Sequence, residues 1–459
     1  MEKKQLLEVI ESQRKLFQSG KTKSLDYRIR SLKKLSQTIQ NNLEEIHLAL
    51  KKDLNKPELE SFAGETFFVQ SDIEHILSNL KKWMKGKCVS SPILFWPMKS
   101  RLRPEPLGNV LIISPWNYPF QLLMSPLVGA ISAGNTVILK PSEMAPETSH
   151  VIAKIIKETF SPSEVFVVEG GIPETTMLLE EKFDHIFYTG NSHVGKIILE
   201  KASRYLTPVT LELGGKSPTI IFGEVDMDVT VKRVMFGKFY NMGQTCVSPD
   251  YILVEKKQKP AFVAGCIKYI DMVYGQNPEQ SNSKIINKRH FQRLRALIGT
   301  DKILYGGKFD EENLFIFPTL LESSENSQAM TEEIFGPLLP IIEIDSIDQA
   351  ITFVNKKEKP LSLYLFTKDT QIQERVIRET SSGAIMINDS VIHQTIKNLP
   401  FGGVGQSGMG AYHGYYSFKT FSHLKPVIKR PFYLDNPLRY PPYSAWKMKL
   451  TKAFLRFFG

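Results

Sequence analysis

Four short runs of β-branched and aliphatic residues constrain this chain more than any other feature: VLIIS (110–114), TVILK (136–140), VFVVE (165–169) and HIFYT (185–189). None of them alternates apolar with polar, as a strand wetted on one face must. Runs of this kind are strands covered on both faces, which is the condition of a parallel sheet sandwiched between helices. The segments between them are long enough and suitably patterned for crossover helices, so the chain reads as α/β and doubly wound. A second series follows in PTIIF (218–222), YILVE (251–255), LPIIEI (339–344), LSLYLF (361–366) and AIMIN (384–388). The join is LELGGKSP, so a second α/β lobe is expected to begin near Leu211. Residues from about 2 to 56, and again from Glu58 to Trp83, repeat apolar positions at helical spacing and predict surface helices. In such folds chemistry sits at the carboxyl ends of the parallel strands.

Several function classes fall away. At 459 residues, two or three lobes are expected rather than one core. Cys88, Cys246 and Cys266 are too scattered for a disulfide framework, and no pair has the spacing of a zinc or redox site, so no metal is expected and a reducing cytoplasm fits. The N-terminus MEKKQLLEVIESQRKLF lacks the apolar core of a secretion signal. No stretch approaches the ~20 apolar residues that span a bilayer. The net charge of +10 is spread through helical patterns among acids, without a nucleic-acid-binding motif.

One match to G-x-G-x-x-G exists, at Gly403, Gly405 and Gly408, but it follows KNLPF rather than a strand and has no acid downstream. YTGNSHVGK (188–196) is better placed, between the run HIFYT and a helical segment. Gly190 can turn the chain sharply and Gly195 can let the helix approach a cofactor. The helix start reads as a phosphate site or as an ordinary strand–turn–helix. Lys140, closing TVILK, suits a ribose hydroxyl or a solvated position. Cys246 in NMGQTCVSP is either a small buried hydrophobe or, at an accessible loop–helix junction among small polar residues, a thiol that can ionise. Glu212, flanked by leucines and followed by two glycines, suggests a carboxylate whose pKa is raised by an apolar pocket, as a general base requires. Asn117 in SPWNYP is a turn former or an amide aimed at a cavity.

Taken together, PWNYP (115–119), LKPSE (139–143), YTGN…VG (188–195), LELGGK (211–216), GQTC (243–246), EEIFGP (332–337) and PFGG (400–403) resemble the aldehyde dehydrogenase superfamily, in that family's order and over nearly the whole chain. LTPVTLELGGKSP and LPFGGVGQSGMGAYHG are most similar to its class 3 branch of fatty and aromatic aldehyde dehydrogenases. The resemblance implies a Rossmann-like NAD(P)-binding domain over 1–210, with 84–108 contributing to an oligomerisation arm. It further implies a catalytic domain over 211–395, a return to the cofactor and oligomerisation region over 396–430, and a tail over 431–459.

By the same resemblance Cys246 is the nucleophile, Asn117 and the Cys246 N–H form the oxyanion hole, and Glu212 activates water against a thioester. Lys140 and Glu143 would meet the adenosine ribose. Gly190, Asn191, Ser192, His193, Val194 and Gly195 would meet the pyrophosphate, and Glu333 and Phe335 the nicotinamide end. Glu143 disfavours a 2′-phosphate by repulsion, so NAD is expected, with NADP as the alternative. Tyr118, Phe68, Thr245 and Phe401 would line the aldehyde tunnel or simply serve the core. They carry no cation for a second carboxylate, which implies a medium or long apolar substrate: fatty, aromatic, isoprenoid or polyene. A homodimer is implied. The tail SAWKMKLTKAFLRFFG is basic and amphipathic, fit to touch a membrane surface, cover the tunnel or dock on a partner subunit.

Overall fold

The computed structural model describes residues 2–92, 95–275 and 278–458. The first four runs form the strands Asn109–Ile113, Thr136–Lys140, Val165–Val167 and His185–Thr189, and three of the four are buried along their whole length. With Val209–Glu212 they make a parallel sheet, closed at one edge by the antiparallel pair Gly408–Met409. Asn109–Ile113, the first of them in the chain, has Thr136–Lys140 on one side and His185–Thr189 on the other. The winding therefore reverses at its carboxyl end, where a crevice must open. The segments leaving these two strands there are Ser114–Asn117 and Gly190–Gly195.

Pro218–Ile221 starts the second sheet, so the chain changes sheets between Glu212 and Pro218. Its parallel strands Pro218–Ile221, Tyr251–Glu255, Leu338–Ile344, Ser362–Phe366 and Ala384–Ile387 fall on the five runs of the second series. Two further strands, Thr319–Glu322 and the antiparallel Lys302–Tyr305, extend this sheet without a recognisable apolar run. A separate antiparallel sheet of Lys87–Val89, Lys99–Pro106 and Ser422–Lys429 has mostly exposed or half-buried residues, and its proline- and lysine-rich sequences carry no strand signature.

The N-terminal helices Lys3–Gln18, Leu25–Asn41 and Leu43–Leu54 bury one stripe each, and Leu32, Leu35, Ile39, Ile46 and Leu50 join the main core. Before the helix Phe67–Met84 the chain makes a wide π-turn, Phe62–Thr66, which carries Glu65 inward. The tail ends in a helix, Ala445–Phe458. Among the described residues no helix is long and apolar enough to cross a membrane.

Candidate active site

Cys246 lies between the helix Met227–Phe239 and the strand Tyr251–Glu255, on a turn that follows three consecutive left-handed residues, Asn241, Met242 and Gly243. It stands in a turn beyond a helix C-terminus and leads into a strand, where the sequence suggested an accessible loop–helix junction. Burial, together with the charges of Glu333 and Glu212, pushes its thiol up to about 12, against backbone N–H groups of Cys246 and Val247 that favour the anion. Burial therefore opposes the ionisation that the flanking small polar residues suggested.

Asn117, buried in the loop after Asn109–Ile113, donates its side-chain amide to the Gln244 carbonyl at 3.0 Å, two residues before the thiol. An amide carries two N–H donors, so one remains for a ligand. The Asn117 carbonyl accepts from Lys56 Nζ (2.8 Å) and Asn241 Nδ2 (3.0 Å). Lys56 also pairs with Glu65, both side chains fully buried, and Glu65 Oε2 accepts the Phe120 and Gln121 N–H groups. This pedestal had no signal in the sequence, because the Lys56–Glu65 pair meets Phe120, Gln121 and Asn117 across 55 to 61 residues, and Asn117 meets Asn241 across 124.

Glu212 ends the last parallel strand of the first sheet, and only 2% of it is exposed. Neither carboxylate oxygen has a partner, and burial raises its pKa well above the ordinary value, as its leucine flanks implied. The GGVGQSG segment has a clear role here. Gly408 pairs with Glu212, and a Cβ at that glycine would strike the Leu211 carbonyl, so glycine lets this hairpin press against the strand. Across the crevice the Glu333 carboxylate lies against Gly214 and accepts the Gly215 N–H, and burial raises it to about 8. Its loop is clamped by Lys216, which pairs with Asp250 and donates to the Ala329 and Glu332 carbonyls, both at 2.8 Å. Asp250 accepts the Ile334 N–H at 2.8 Å. Neither Lys216 nor Asp250 was singled out in the sequence.

The remaining expected contacts surround the same crevice. Lys140 is buried with its ammonium 3.6 Å from the half-exposed Glu143. The helix Ser192–Ser203 starts with Asn191 capping the Val194 N–H, while His193 stays exposed. Gly195 admits the Leu213 side chain, which a Cβ would meet at 3.1 Å, so glycine here lets the helix pack closely. Phe335 takes a left-handed conformation and stands edge-on to Trp116 at 5.4 Å. Two unpartnered carboxylate oxygens on Glu212, the glycine cradle beside Glu333 and a buried ammonium beside Glu143 fit a dinucleotide with its hydroxyls and positive ring.

The four expected tunnel residues form two groups. Tyr118 hydrogen-bonds Thr245 (2.8 Å) and stacks on Tyr240. Phe68 and Phe401 instead pack on His413 and so join the Tyr412 cluster. Lysines do lie near, Lys56 over Tyr118 and Lys397 over Phe68, but Glu65 and Asp72 pair with them.

The aldehyde dehydrogenase family model matches residues 1–427. The 4,4′-diaponeurosporen-aldehyde dehydrogenase of Staphylococcus aureus is 46% identical, covering 96% of this chain and 97% of its own. Aldehyde dehydrogenase family 3 member A2 of Mus musculus is 45% identical over 96% of this chain and 92% of its own. A substrate-bound structure of Staphylococcus aureus AldH superposes with a TM-score of 0.96 at 45% identity, covering 98% of this chain and 99% of that one.

Proposed function

The chain belongs to the aldehyde dehydrogenase family and is an aldehyde-oxidising oxidoreductase; from there we propose that it converts a medium- or long-chain apolar aldehyde to its acid with NAD, through a thioester on Cys246. The family uses NAD or NADP. The observation that carries the reading is the buried Asn117 amide, held at 3.0 Å on the Gln244 carbonyl two residues before the half-buried Cys246 thiol.

Cys246 attacks the aldehyde carbon, and the free N–H of Asn117 with the Cys246 backbone N–H receives the developing oxyanion. Glu333 would hold the nicotinamide ribose, Lys140 the adenosine ribose, and the start of the helix Ser192–Ser203 the pyrophosphate. Bound there, the dinucleotide would supply the hydride acceptor and a positive ring that favours the thiolate. Glu212 then takes a proton from water as the water attacks the thioester, and the thiol is regenerated. A 2′-phosphate would meet the Glu143 carboxylate, which supports NAD. The aromatic walls around Tyr118 and Phe401, with both nearby lysines already paired, support an apolar substrate, and the Staphylococcus aureus relative is named for a polyene aldehyde.

A panel of aldehydes graded by length and unsaturation tests this, with NADH and NADPH formation followed separately and with or without CoA. Rising kcat/KM with chain length and faster NADH formation are expected. Preference for a dicarboxylic semialdehyde, or strict dependence on CoA, would overturn it.

The tail fits an acidic lipid surface. In the helix Ala445–Phe458, Trp446, Met448, Leu450 and Leu455 are each 50–55% exposed beside Lys447, Lys449, Lys452 and Arg456. Such a helix binds through apolar burial plus attraction to anionic headgroups. The protein is expected to sediment with phosphatidylglycerol vesicles at low salt and to be released when the chain is cut after Tyr443. Equal retention by neutral vesicles, or by the truncated chain, would remove this role.

A further inference from the structure

The turn that carries the nucleophile holds a conformation its own residues disfavour. Asn241, Met242 and Gly243 have φ of 51°, 50° and 75°, and only the last is glycine. Such runs persist where the surroundings over-determine them. The Asn241 side chain donates to the Asn117 carbonyl (3.0 Å) and the Gln244 carbonyl (3.2 Å). Its backbone N–H donates to Glu60 Oε2 at 3.0 Å. Glu60 comes from the short helix Glu58–Ser61, 181 residues earlier, and no step described above uses it.

We propose that Glu60 is a positioning residue that locks the Asn241–Gly243 turn and thereby aims the Cys246 thiol and the Asn117 amide at one point. The link is short. Glu60 fixes the Asn241 backbone; the Asn241 amide fixes the Asn117 carbonyl; and Asn241 and Asn117 both donate to the Gln244 carbonyl, two residues from the sulfur.

Charge makes this hold sensitive to pH. The titratable groups around Glu60 are Lys56, Glu65, Tyr118, Tyr240 and Tyr274. Lys56 is already matched by Glu65 in a fully buried pair, so Glu60 is the surplus negative charge of the group. Burial raises its carboxyl to about 7, against the pull of Lys56 and the Asn241 N–H. The carboxylate, which prevails above that pH, is the stronger acceptor, so the turn is held more firmly on the alkaline side.

The inference rests on Cys246 as the nucleophile, and the test separates the two. E60Q keeps an acceptor oxygen but cannot ionise, and E60A removes the acceptor. Each full-length variant is assayed for alkylation of Cys246 by iodoacetamide, read by peptide mass spectrometry, and for the single-turnover rate of NADH formation from roughly pH 5.5 to 9. E60A is expected to slow the single turnover by about tenfold or more, as small misplacements of reacting groups do, and to change the alkylation rate while NAD binding stays the same. E60Q is expected to stay within about twofold of the parent at the acid end, where the parent's Glu60 is itself protonated, to fall below it at the alkaline end, and so to lose the inflection near neutrality, because its acceptor geometry survives without the ionisation. An E60Q profile superimposable on the parent's overturns the proposal, as do unchanged rates in E60A. If E60A does not fold, the E60Q profile alone decides. If alkylation responds but turnover does not, Glu60 keeps its role and Cys246 loses its own.

Discussion

Cys246→Ala is expected to abolish NADH formation in the first turnover as well as in the steady state, by at least about a thousandfold, since no other group takes over a lost nucleophile. Two internal controls sharpen the result. Cys266 is wholly buried in the core and Cys88 is exposed on the antiparallel sheet, so alanine at either should leave the rate close to the parent's. Asn117→Ala should give an intermediate loss. One oxyanion donor contributes about 3 kcal/mol, or roughly a hundredfold, and the KM for aldehyde should change much less than kcat. Full activity in Cys246→Ala would end the proposed chemistry whatever the other variants did.

Glu212→Gln is expected to split the reaction in two. Addition and hydride transfer continue, so a burst of NADH near one per site appears. The steady rate then falls by on the order of 10²- to 10³-fold, the usual contribution of a general base. The pH dependence follows from burial. The Glu212 carboxyl is raised well above its ordinary value, so it is protonated and inert as a base on the acid side and gains activity as pH rises through its folded-state pKa. The parent's steady rate should therefore climb as pH rises through that raised pKa, and the glutamine variant should lose that climb. A glutamine variant with the parent's steady rate would remove Glu212 from deacylation.

The two sheets could be read from sequence because a strand covered on both faces must be apolar at every position, and that pattern is local. Thr136–Lys140, His185–Thr189 and Tyr251–Glu255 have the bounds of their apolar runs. Lys302–Tyr305 and Ser422–Lys429 are exposed on at least one side, and nothing in their composition obliges them to be strands. The burial of Glu212 was foreshadowed by its neighbours in LELGG. The clamp of Lys216 and Asp250 on the Glu333 loop was not, for it joins three segments of the second lobe.

The sequence by itself determined the doubly wound plan, the family and the apolar setting of Glu212, since each depends on residues adjacent in the chain. Only the tertiary structure decided the burial of Cys246 and the support beneath it. The thiol pKa is pushed up by burial first and then by carboxylates 34 and 87 positions away in number, against two local N–H groups. The Glu60–Asn241 contact joins the short helix Glu58–Ser61 to a left-handed turn 181 residues later, and the local Lys56–Glu65 pair meets Phe120, Gln121 and Asn117 across 55 to 61 residues. Electrostatic fields and hydrogen bonds act through space, and no pattern along the chain records which distant groups the fold will bring within reach.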